Sequence, residues 1–458
     1  MTVDSGLISV PTGRTAQYKP PKASGFPLVG VLPHMRRDPI NFLTKIATEL
    51  GDVVRLDLGF DRALLFSAPE DIKHIFQDNR LNYHKSRYMI TDLKPVIGNG
   101  MLLAEDDLWQ HQRQIAIKGF EGRRLKAMGD HMTSAAMDMS ARWRARAHPE
   151  APINMVQEAM RLTLDVVLRS MFSVKLEGVH GPLYDAITFL LRDIERRFWM
   201  LIQPPAWLPV PMNIKRTAMI RILYAFIDDV LAQRRQMTNP PDDLFQMLID
   251  AYGDKNEALL RNEALTFIIA GQDTTASALV WTWAMLSRHA HAWHQMKNEV
   301  DRVLEKRIPC FEDIQDLPIT SRILQETLRL FPPAWTLSRT AVKDDKIGNT
   351  FVAAGTTVIV APWVVHHRAD LWPNPEGFDP DRFTPAATAS RHRFAYIPFG
   401  GGPRVCIGAR FATMEATLVL AKLAQEWRLD LAPGYRLDPE PMLIQRPRNG
   451  LWMVTQPL

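Results

Sequence analysis

The chain has 458 residues, of which 46% are hydrophobic and 23% charged. This composition excludes the disordered, collagen-like and membrane-embedded classes and indicates a globular protein with a sizeable core. A net charge of +5 is too small to indicate nucleic-acid binding without a clustered basic surface, although an acidic protein partner stays possible. The two cysteines, Cys310 and Cys406, cannot form a disulfide framework, so we expect a cytoplasmic protein.

The N-terminal segment carries no basic region followed by an apolar run, which a signal peptide requires. We therefore expect neither a signal peptide nor a membrane anchor. Prolines cluster from Pro20 to Pro33, and we expect residues 1–20 to form a flexible tail. Because no fixed repeat and no long linker interrupts the chain, we expect one domain over residues 1–458.

Helical periodicity of apolar residues dominates the chain, whereas strand signals are short. The predicted helices are about 131–148, 155–175, 181–201, 213–236, 257–289, 291–306 and 319–331. The predicted strands are 53–58, 63–66 and 356–361. The sequence therefore predicts a mainly α fold with small β sheets, one near each end of the chain.

The most apolar long segment, from Leu265 to Leu286, carries polar residues at its centre. An aspartate there would cost about 3 kcal/mol in a bilayer, so the segment is better interpreted as the buried helix of a large domain. A threonine at position 274 can donate a hydrogen bond to the carbonyl of Ala270 and bend the helix. We expect Gly271 to leave space beside it for a flat cofactor.

A second segment, from Phe399 to Gly408, has the pattern F-x-x-G-x-R-x-C-x-G. Its glycines permit a tight hairpin that approaches a flat ligand closely, and helical periodicity follows the cysteine. Cys406 would thus lie at a helix N-terminus, which favours the thiolate, and a thiolate is one of the axial ligands of haem iron. Cys310 has no such surroundings and is better explained as a structural cysteine.

A rival metal site is possible at His289, His291 and His294. Only His291 and His294 share a helical face, and no cysteine or carboxylate completes a tetrahedral set nearby. We expect a surface junction between helices there.

With its cysteine loop, the sequence resembles the cytochrome P450 family, and further motifs of that family occur in the same order along the chain. They are W-x-x-x-R at Trp109 to Arg113, A-G-x-D-T-T at Ala270 to Thr275, E-x-x-R at Glu326 to Arg329, and F-x-P-x-R-F at Phe378 to Phe383. The resemblance covers nearly the whole chain and implies a single-domain cytochrome P450 fold. It also implies haem b, held between the Ala270–Thr275 helix and the Cys406 loop with Cys406 as the axial thiolate.

The resemblance also implies the roles of particular residues. Asp273 and Thr274 would be an acid–alcohol pair that delivers protons to dioxygen. Glu326, Arg329 and Arg382 would form a buried network that supports the cysteine loop. The other expected cofactor contacts, with the arginines facing the haem propionates, are Trp109, His111, Arg113, Ala270, Arg339, Phe399, Arg404 and Gly408.

The implied reaction is monooxygenation of a small hydrophobic substrate with O2. The expected pocket residues are Met89, Ile90, Leu103, Phe267, Ala334, Trp335, Leu337 and Leu443, all apolar, although a core has the same composition. Two alternatives stay open: a peroxygenase or isomerase of the same fold, and a non-catalytic haem sensor or apolar-ligand carrier. The Asp273–Thr274 pair argues against the first alternative.

About 50 residues follow Cys406, fewer than a flavin or iron–sulfur domain of roughly 100 needs. We therefore expect electrons from a ferredoxin, itself reduced by an NAD(P)H-dependent ferredoxin reductase, both acting in trans. The basic residues predicted to dock the ferredoxin behind the cysteine loop are Arg113, Lys118, Arg123, Arg124, Lys126 and Arg410.

Overall fold

The computed structural model describes residues 19–59, 61–148, 150–176, 180–198, 200, 204–205, 207–253 and 255–458. Most of the predicted flexible tail, residues 1–18 of 1–20, lies outside these ranges. Within them, helices dominate and strands are short, so the predicted mainly α class with small β sheets is confirmed.

The helices are numbered in chain order, and several begin with a proline, which suits a first helical turn because its N–H has no partner there. They are α1 (Leu32–Arg37), α2 (Pro39–Leu50), α3 (Pro69–Lys73), α4 (Arg87–Ile97), α5 (Asp106–Ala116), α6 (Gly122–Arg144), α7 (Met155–Phe172), α8 (His180–Phe198), α9 (Pro211–Arg235), α10 (Leu244–Tyr252), α11 (Glu257–Arg288), α12 (Ala290–Leu304), α13 (Pro318–Leu330), α14 (Pro362–His366), α15 (Pro385–Ala389) and α16 (Ala409–Glu426).

The strands form two larger sheets and two short hairpins. They are β1 (Val53–Leu58), β2 (Asp61–Phe66), β3 (Tyr83–Lys85), β4 (Ile153–Asn154), β5 (Leu337–Ala341), β6 (Asp345–Ile347), β7 (Thr350–Val352), β8 (Thr357–Val360), β9 (Trp427–Leu431), β10 (Pro439–Glu440), β11 (Arg446–Pro447) and β12 (Trp452–Pro457). The five-stranded sheet has the order β1-β2-β8-β5-β3, and the three-stranded sheet has the order β4-β12-β9. The pairs β6–β7 and β10–β11 are antiparallel hairpins.

The expectation of separate sheets near the two ends was wrong for the predicted strands. β8, from late in the chain, pairs in parallel with β2, from its beginning, so both belong to one sheet. Sequence periodicity shows which face of a strand is apolar but carries no information on which distant strand it pairs with. A separate C-terminal sheet does exist, formed by β9 and β12 with β4.

Helix α11 lies at the centre of the largest hydrophobic cluster and packs against α7, α13 and α16. Asn256 caps its start by accepting a hydrogen bond from the Leu259 N–H at 3.0 Å. Residues around its whole circumference are buried, as the apolar sequence predicts for a core helix. Nowhere in the described ranges is a helix both long and apolar enough to cross a membrane.

A fully buried ion pair joins Glu326 and Arg329 on α13. Both carboxylate oxygens accept from the guanidinium, at 2.7 and 2.8 Å, and neither side chain is exposed. Arg382 lies 3.4 Å from the same carboxylate. The Arg329 guanidinium also donates to the carbonyl groups of His366 and Gly377, each at 2.9 Å. Removing one partner from such a pair costs about 3–5 kcal/mol, because the other charge stays buried.

His366 extends this network to the chain that precedes the cysteine loop. Its Nε2 accepts from the N–H of Ile397 at 2.9 Å, and its Nδ1 lies 3.2 Å from the carbonyl oxygen of Arg329. Burial and the charge of Arg329 hold the pKa of His366 well below its usual value, so the ring is neutral. A neutral ring fits both contacts, since Nδ1–H donates while Nε2 accepts.

Candidate active site

The cysteine loop is a tight turn built on glycines. The N–H of Cys406 donates to the carbonyl of Phe399 at 3.0 Å, which closes the loop. Gly400 and Gly402 have φ of +73° and +65°, a left-handed conformation that favours glycine. A Cβ on Gly402 would lie 1.9 Å from the carbonyl oxygen of Phe76. The loop thus has this shape because glycine alone fits at position 402.

Cys406 lies deep in the protein, yet its surface is accessible. Burial raises the pKa of its thiol, while the N–H of Gly408 and the positive charge of Arg113 act in the opposite direction. Metal ligands of this kind lose their proton when the metal binds. A deep but accessible thiol must line an internal cavity.

The middle of α11 also carries an accessible position. Ala270 is exposed although Phe267, Ile268 and Ile269 before it are buried. The Thr274 hydroxyl donates to the Ala270 carbonyl at 2.8 Å, which is the contact that the sequence predicted. Ala270 and Cys406 are therefore both accessible, the first on a helix whose preceding turn is buried and the second in the half-buried glycine loop.

Gly271 does not have the role expected of it. A Cβ there would lie 2.8 Å from Val167 Cγ2, so the glycine permits close packing of α11 on α7. The expectation that it leaves space for a cofactor was wrong, because Gly271 and Ala270 lie about 100° apart around the helix and face different neighbours.

Three cations lie together near the cavity: Lys85 on β3, Arg339 on β5 and Arg404 in the cysteine loop. Lys85 and Arg339 are paired in register, and Arg404 forms an ion pair with Glu105. Burial and the neighbouring charge of Arg404 lower the pKa of Arg339 to about 10, and burial lowers that of Lys85 well below its usual value. With Lys85, Arg339, Arg404 and Glu105 all ionised, the group has a net charge of +2, which two carboxylates would neutralise. Haem b has two propionates, so the cluster fits this cofactor.

Helix α5 brings its two motif residues to the cysteine loop. The Arg404 guanidinium lies 4.3 Å from the ring centroid of Trp109, and Arg113 donates to the carbonyl of Val405 at 2.9 Å. His111 faces elsewhere: it is exposed, and its ring packs edge-on against Tyr252 with centroids 6.1 Å apart.

Asp273 is buried and turned away from the accessible face that carries Thr274. Its Oδ2 lies 3.8 Å from Arg446, and burial raises the pKa of its carboxyl group. The carboxyl group of Asp273 is therefore connected to the cavity indirectly. The connection is the turn of helix that Asp273 shares with Thr274.

The predicted pocket residues fall into different clusters. Leu103 and Phe267 are buried in the cluster around α11, with Met89 and Leu443 packed against it. Leu337 packs against the cluster on one side of the five-stranded sheet. Trp335 is buried in a separate cluster with α2, where its Nε1–H donates to the Met442 carbonyl at 2.6 Å. Ile90 and Ala334 are partly exposed.

Sequence reasoning missed Lys85 and Glu105. Lys85 follows two residues of strand propensity, and Glu105 precedes α5, but neither stands in a motif. Their relevance depends on the pairing of β3 with β5 and on the ion pair to Arg404, which are long-range contacts.

The rival metal site at His289, His291 and His294 finds no support: within the described ranges, no three His, Cys, Asp or Glu side chains lie close enough to hold a metal ion.

Comparisons with known proteins agree with this geometry. Residues 20–454 match the family model of cytochrome P450. Cyclooctatin synthase of Streptomyces melanosporofaciens is 31% identical and covers 92% of both chains. Putative cytochrome P450 132 of Mycobacterium tuberculosis is 33% identical, covering 88% of this chain and 90% of its own. The haem domain of cytochrome P450DA shares the fold, with a TM-score of 0.86 at 24% identity over 96% of this chain and 97% of its own.

The chain belongs to the cytochrome P450 family. It is a haem monooxygenase whose cofactor has a cysteine thiolate ligand, and its single-domain cytochrome P450 fold is confirmed. The family uses O2, a hydrophobic substrate and electrons from a redox partner.

Gly402→Ala tests the steric basis of the cysteine loop. A left-handed φ costs a non-glycine residue about 1–2 kcal/mol, and here the methyl group also collides with Phe76. We expect the variant to lose most of the red-shifted Soret absorbance that the reduced, CO-bound, thiolate-ligated form gives. Gly434→Ala is the matched control, since φ there is +75° but no described atom lies within 4 Å of the added Cβ. Equal spectra for the two variants would contradict this account.

Proposed function

We propose that the chain inserts one oxygen atom from O2 into a largely hydrocarbon, terpenoid substrate, with haem b held by Cys406. The observation that carries this proposal is the pair of accessible positions, Ala270 on a helix whose preceding residues are buried and Cys406 in the glycine loop. The net positive cluster of Lys85, Arg339 and Arg404 with Glu105 supports the orientation of the haem, with its propionates towards β3 and β5.

When bound, the haem supplies the activation of O2. The chain supplies the ligand, the cavity and the protons. The Thr274 hydroxyl donates its one proton to the Ala270 carbonyl, and its oxygen can accept a hydrogen bond from the cavity side. Asp273, one residue earlier, would hold a proton at its carboxyl group, because burial raises the pKa of that group.

The proposed substrate class is supported by the names of several relatives. Besides cyclooctatin synthase, pentalenene oxygenase of Streptomyces avermitilis is 28% identical over 90% of this chain. Cyclooctat-9-en-7-ol 5-monooxygenase of Streptomyces melanosporofaciens is 29% identical over 90% of this chain. The apolar side chains of Met89, Phe267 and Leu443, in or against the cluster around α11, suit a substrate with few polar groups.

We also propose a ferredoxin and its NAD(P)H-dependent reductase as the electron source. Of the six basic residues predicted to dock it, three already have partners in the chain. Arg113 donates to the Val405 carbonyl, and ion pairs join Arg124 to Asp242 and Lys126 to Glu312. The remaining three are exposed and have no ion pair within the described part of the chain: Lys118, Arg123 and Arg410. They are the better candidates for an acidic partner. The cytoplasmic location stays a prediction.

Cys406→Ala tests the ligand assignment. The reduced, CO-bound protein is expected to show the thiolate-type Soret band, and Cys406→Ala to abolish it. Cys310→Ala is the control, since Cys310 caps a short 3₁₀ turn and its backbone N–H is held by Asp313. Survival of the band in Cys406→Ala would refute the assignment.

Thr274→Ala and Asp273→Asn test proton delivery. We expect Thr274→Ala to release more hydrogen peroxide per product, and Asp273→Asn to slow turnover by about 10²-fold, as loss of a general acid does. Thr282→Ala is the matched control, because Thr282 makes the same backbone contact on α11, to Ala278 at 2.7 Å, but is fully buried. A peroxygenase would keep its rate with added peroxide in Asp273→Asn, and a sensor or carrier would give no product at all.

Arg123→Glu tests the docking surface. Attraction between exposed charges is screened beyond about 8–10 Å at 0.1–0.15 M salt, so reduction by an acidic ferredoxin is expected to slow steeply as salt rises. Arg123→Glu is expected to slow reduction about tenfold at low salt. Arg221→Glu, an exposed arginine on α9, serves as control. A rate that responds neither to salt nor to Arg123→Glu would place the partner elsewhere.

A further inference from the structure

A buried guanidinium connects Asp273 to helix α8. Arg446, on β11, donates to Glu195 of α8 at 2.7 Å and lies 3.8 Å from Asp273 of α11. The side chains of Arg446, Glu195 and Asp273 are 12%, 3% and 5% exposed. One cation therefore lies between two carboxyl groups that come from different helices.

The hydrogen bond from Arg446 to Glu195 leaves other polar atoms of the three side chains unpaired. Glu195 Oε2, Asp273 Oδ2 and Arg446 Nε are buried and have no hydrogen-bond partner within the described ranges. Both polar atoms of the adjacent Gln445 side chain, Oε1 and Nε2, are also buried and without a hydrogen-bond partner within those ranges. Buried polar atoms are normally paired, by protein groups or by internal water. So many unpaired buried polar atoms beside Asp273 indicate a polar route between α8, α11 and β11.

The net charge of Arg446, Glu195 and Asp273 favours one proton shared by the two carboxyl groups. With both carboxyl groups ionised the three residues carry −1, and with one of them protonated they are neutral. Burial raises the pKa of Glu195 to about 7 and raises that of Asp273, while Arg446 opposes both shifts. Because Arg446 donates directly to Glu195, the proton is more stable on Asp273.

The remaining charged and titratable groups around Arg446 come from two elements. Glu440, on β10, raises the pKa of Glu195, and Arg448 partly neutralises it with an ion pair at 3.0 Å. Tyr184, one of the α8 side chains, is kept protonated by burial. Neither Glu440 nor Tyr184 has an ion pair or hydrogen bond to Asp273, so Arg446 is the charge that acts on Asp273 directly.

We propose that Arg446 and Glu195 are positioning residues that set the protonation of Asp273 and restore its proton after each delivery. This inference rests on the proposed role of Asp273. When Asp273 gives up its proton towards the cavity, Arg446 stabilises the new carboxylate and its hold on Glu195 weakens. Glu195, whose Oε2 is buried and unpaired, then takes up one proton that reaches it from solvent through internal water, and the proton passes by the same means to Asp273, which returns the group to neutrality. Each cycle thus moves one proton inwards, and the two carboxyl groups end as they began.

The geometry predicts opposite effects for two variants. Glu195→Gln removes the competing carboxylate, so Arg446 acts on Asp273 alone and the pKa of Asp273 falls. Arg446→Gln removes the cation, so the ionised form of Asp273 loses its partner and the pKa rises. A general loss of structure would move the two variants in the same direction.

The test is infrared difference spectroscopy of the CO-bound holoenzyme on photolysis, over a range of pH. The carboxylic-acid band of Asp273 is identified by its loss in Asp273→Asn. We expect its midpoint to fall by at least one pH unit in Glu195→Gln and to rise by at least one in Arg446→Gln. Asp193→Asn is the matched control, since Asp193 lies on the same helix in a buried pair with Arg216 and should leave the midpoint unchanged.

The same variants are then compared in turnover, by the pH profile of product formed per electron. Glu195→Gln is expected to shift this profile towards acid by the same interval. Midpoints that shift together in Glu195→Gln and Arg446→Gln, or do not shift, would overturn the inference even if Asp273→Asn is slow. If Asp273→Asn instead turns over normally, the proposed function fails at Asp273, whatever the infrared midpoints show.

Discussion

The buried ion pair between Glu326 and Arg329 holds together the parts of the chain that form the proximal wall of the cavity. Arg329 donates to the carbonyl groups of His366, the last residue of α14, and of Gly377 in the segment after α14, and the first of these contacts fixes His366. His366 accepts from Ile397, whose own carbonyl accepts from Gly400 at 3.0 Å, so the contacts run without a gap from α13 to the cysteine loop. Each of these hydrogen bonds is short, and the cost of an unpaired buried charge at Glu326 or Arg329 keeps the whole set in one arrangement.

The two sides of the site differ in charge. The side next to the cysteine loop has an excess of buried cations in Lys85, Arg339 and Arg404, which suits an anionic cofactor. The far side, behind α11, has two carboxyl groups around one guanidinium, and burial raises the pKa of both carboxyl groups. A cavity between a cationic wall and a proton-holding wall is suited to bind haem on one side and to protonate reduced oxygen on the other.

The local parts of this arrangement were predictable from the sequence. Residues close together in the chain determine the α11 helix, the hydrogen bond from Thr274 to the Ala270 carbonyl and the glycine turn before Cys406. Sequence motifs indicate such local contacts well. Lys85, Glu105, Glu195 and Arg446 were not found, because their importance comes from partners up to 299 positions away. The sheet pairing of β2 with β8 was mistaken for the same reason. Gly271 shows the opposite error, since a motif residue was assigned to the cofactor although it packs against Val167.

A crystal structure of the haem-loaded protein tests the central claim most directly. The account predicts haem b between Ala270 and Cys406, with iron bonded to the sulfur of Cys406. It also predicts that the two propionates contact Lys85, Arg339 and Arg404, and that Glu105 gives up part of its contact with Arg404 to them. Haem with its propionates directed away from these three cations, or iron bonded to a group other than Cys406, would contradict it.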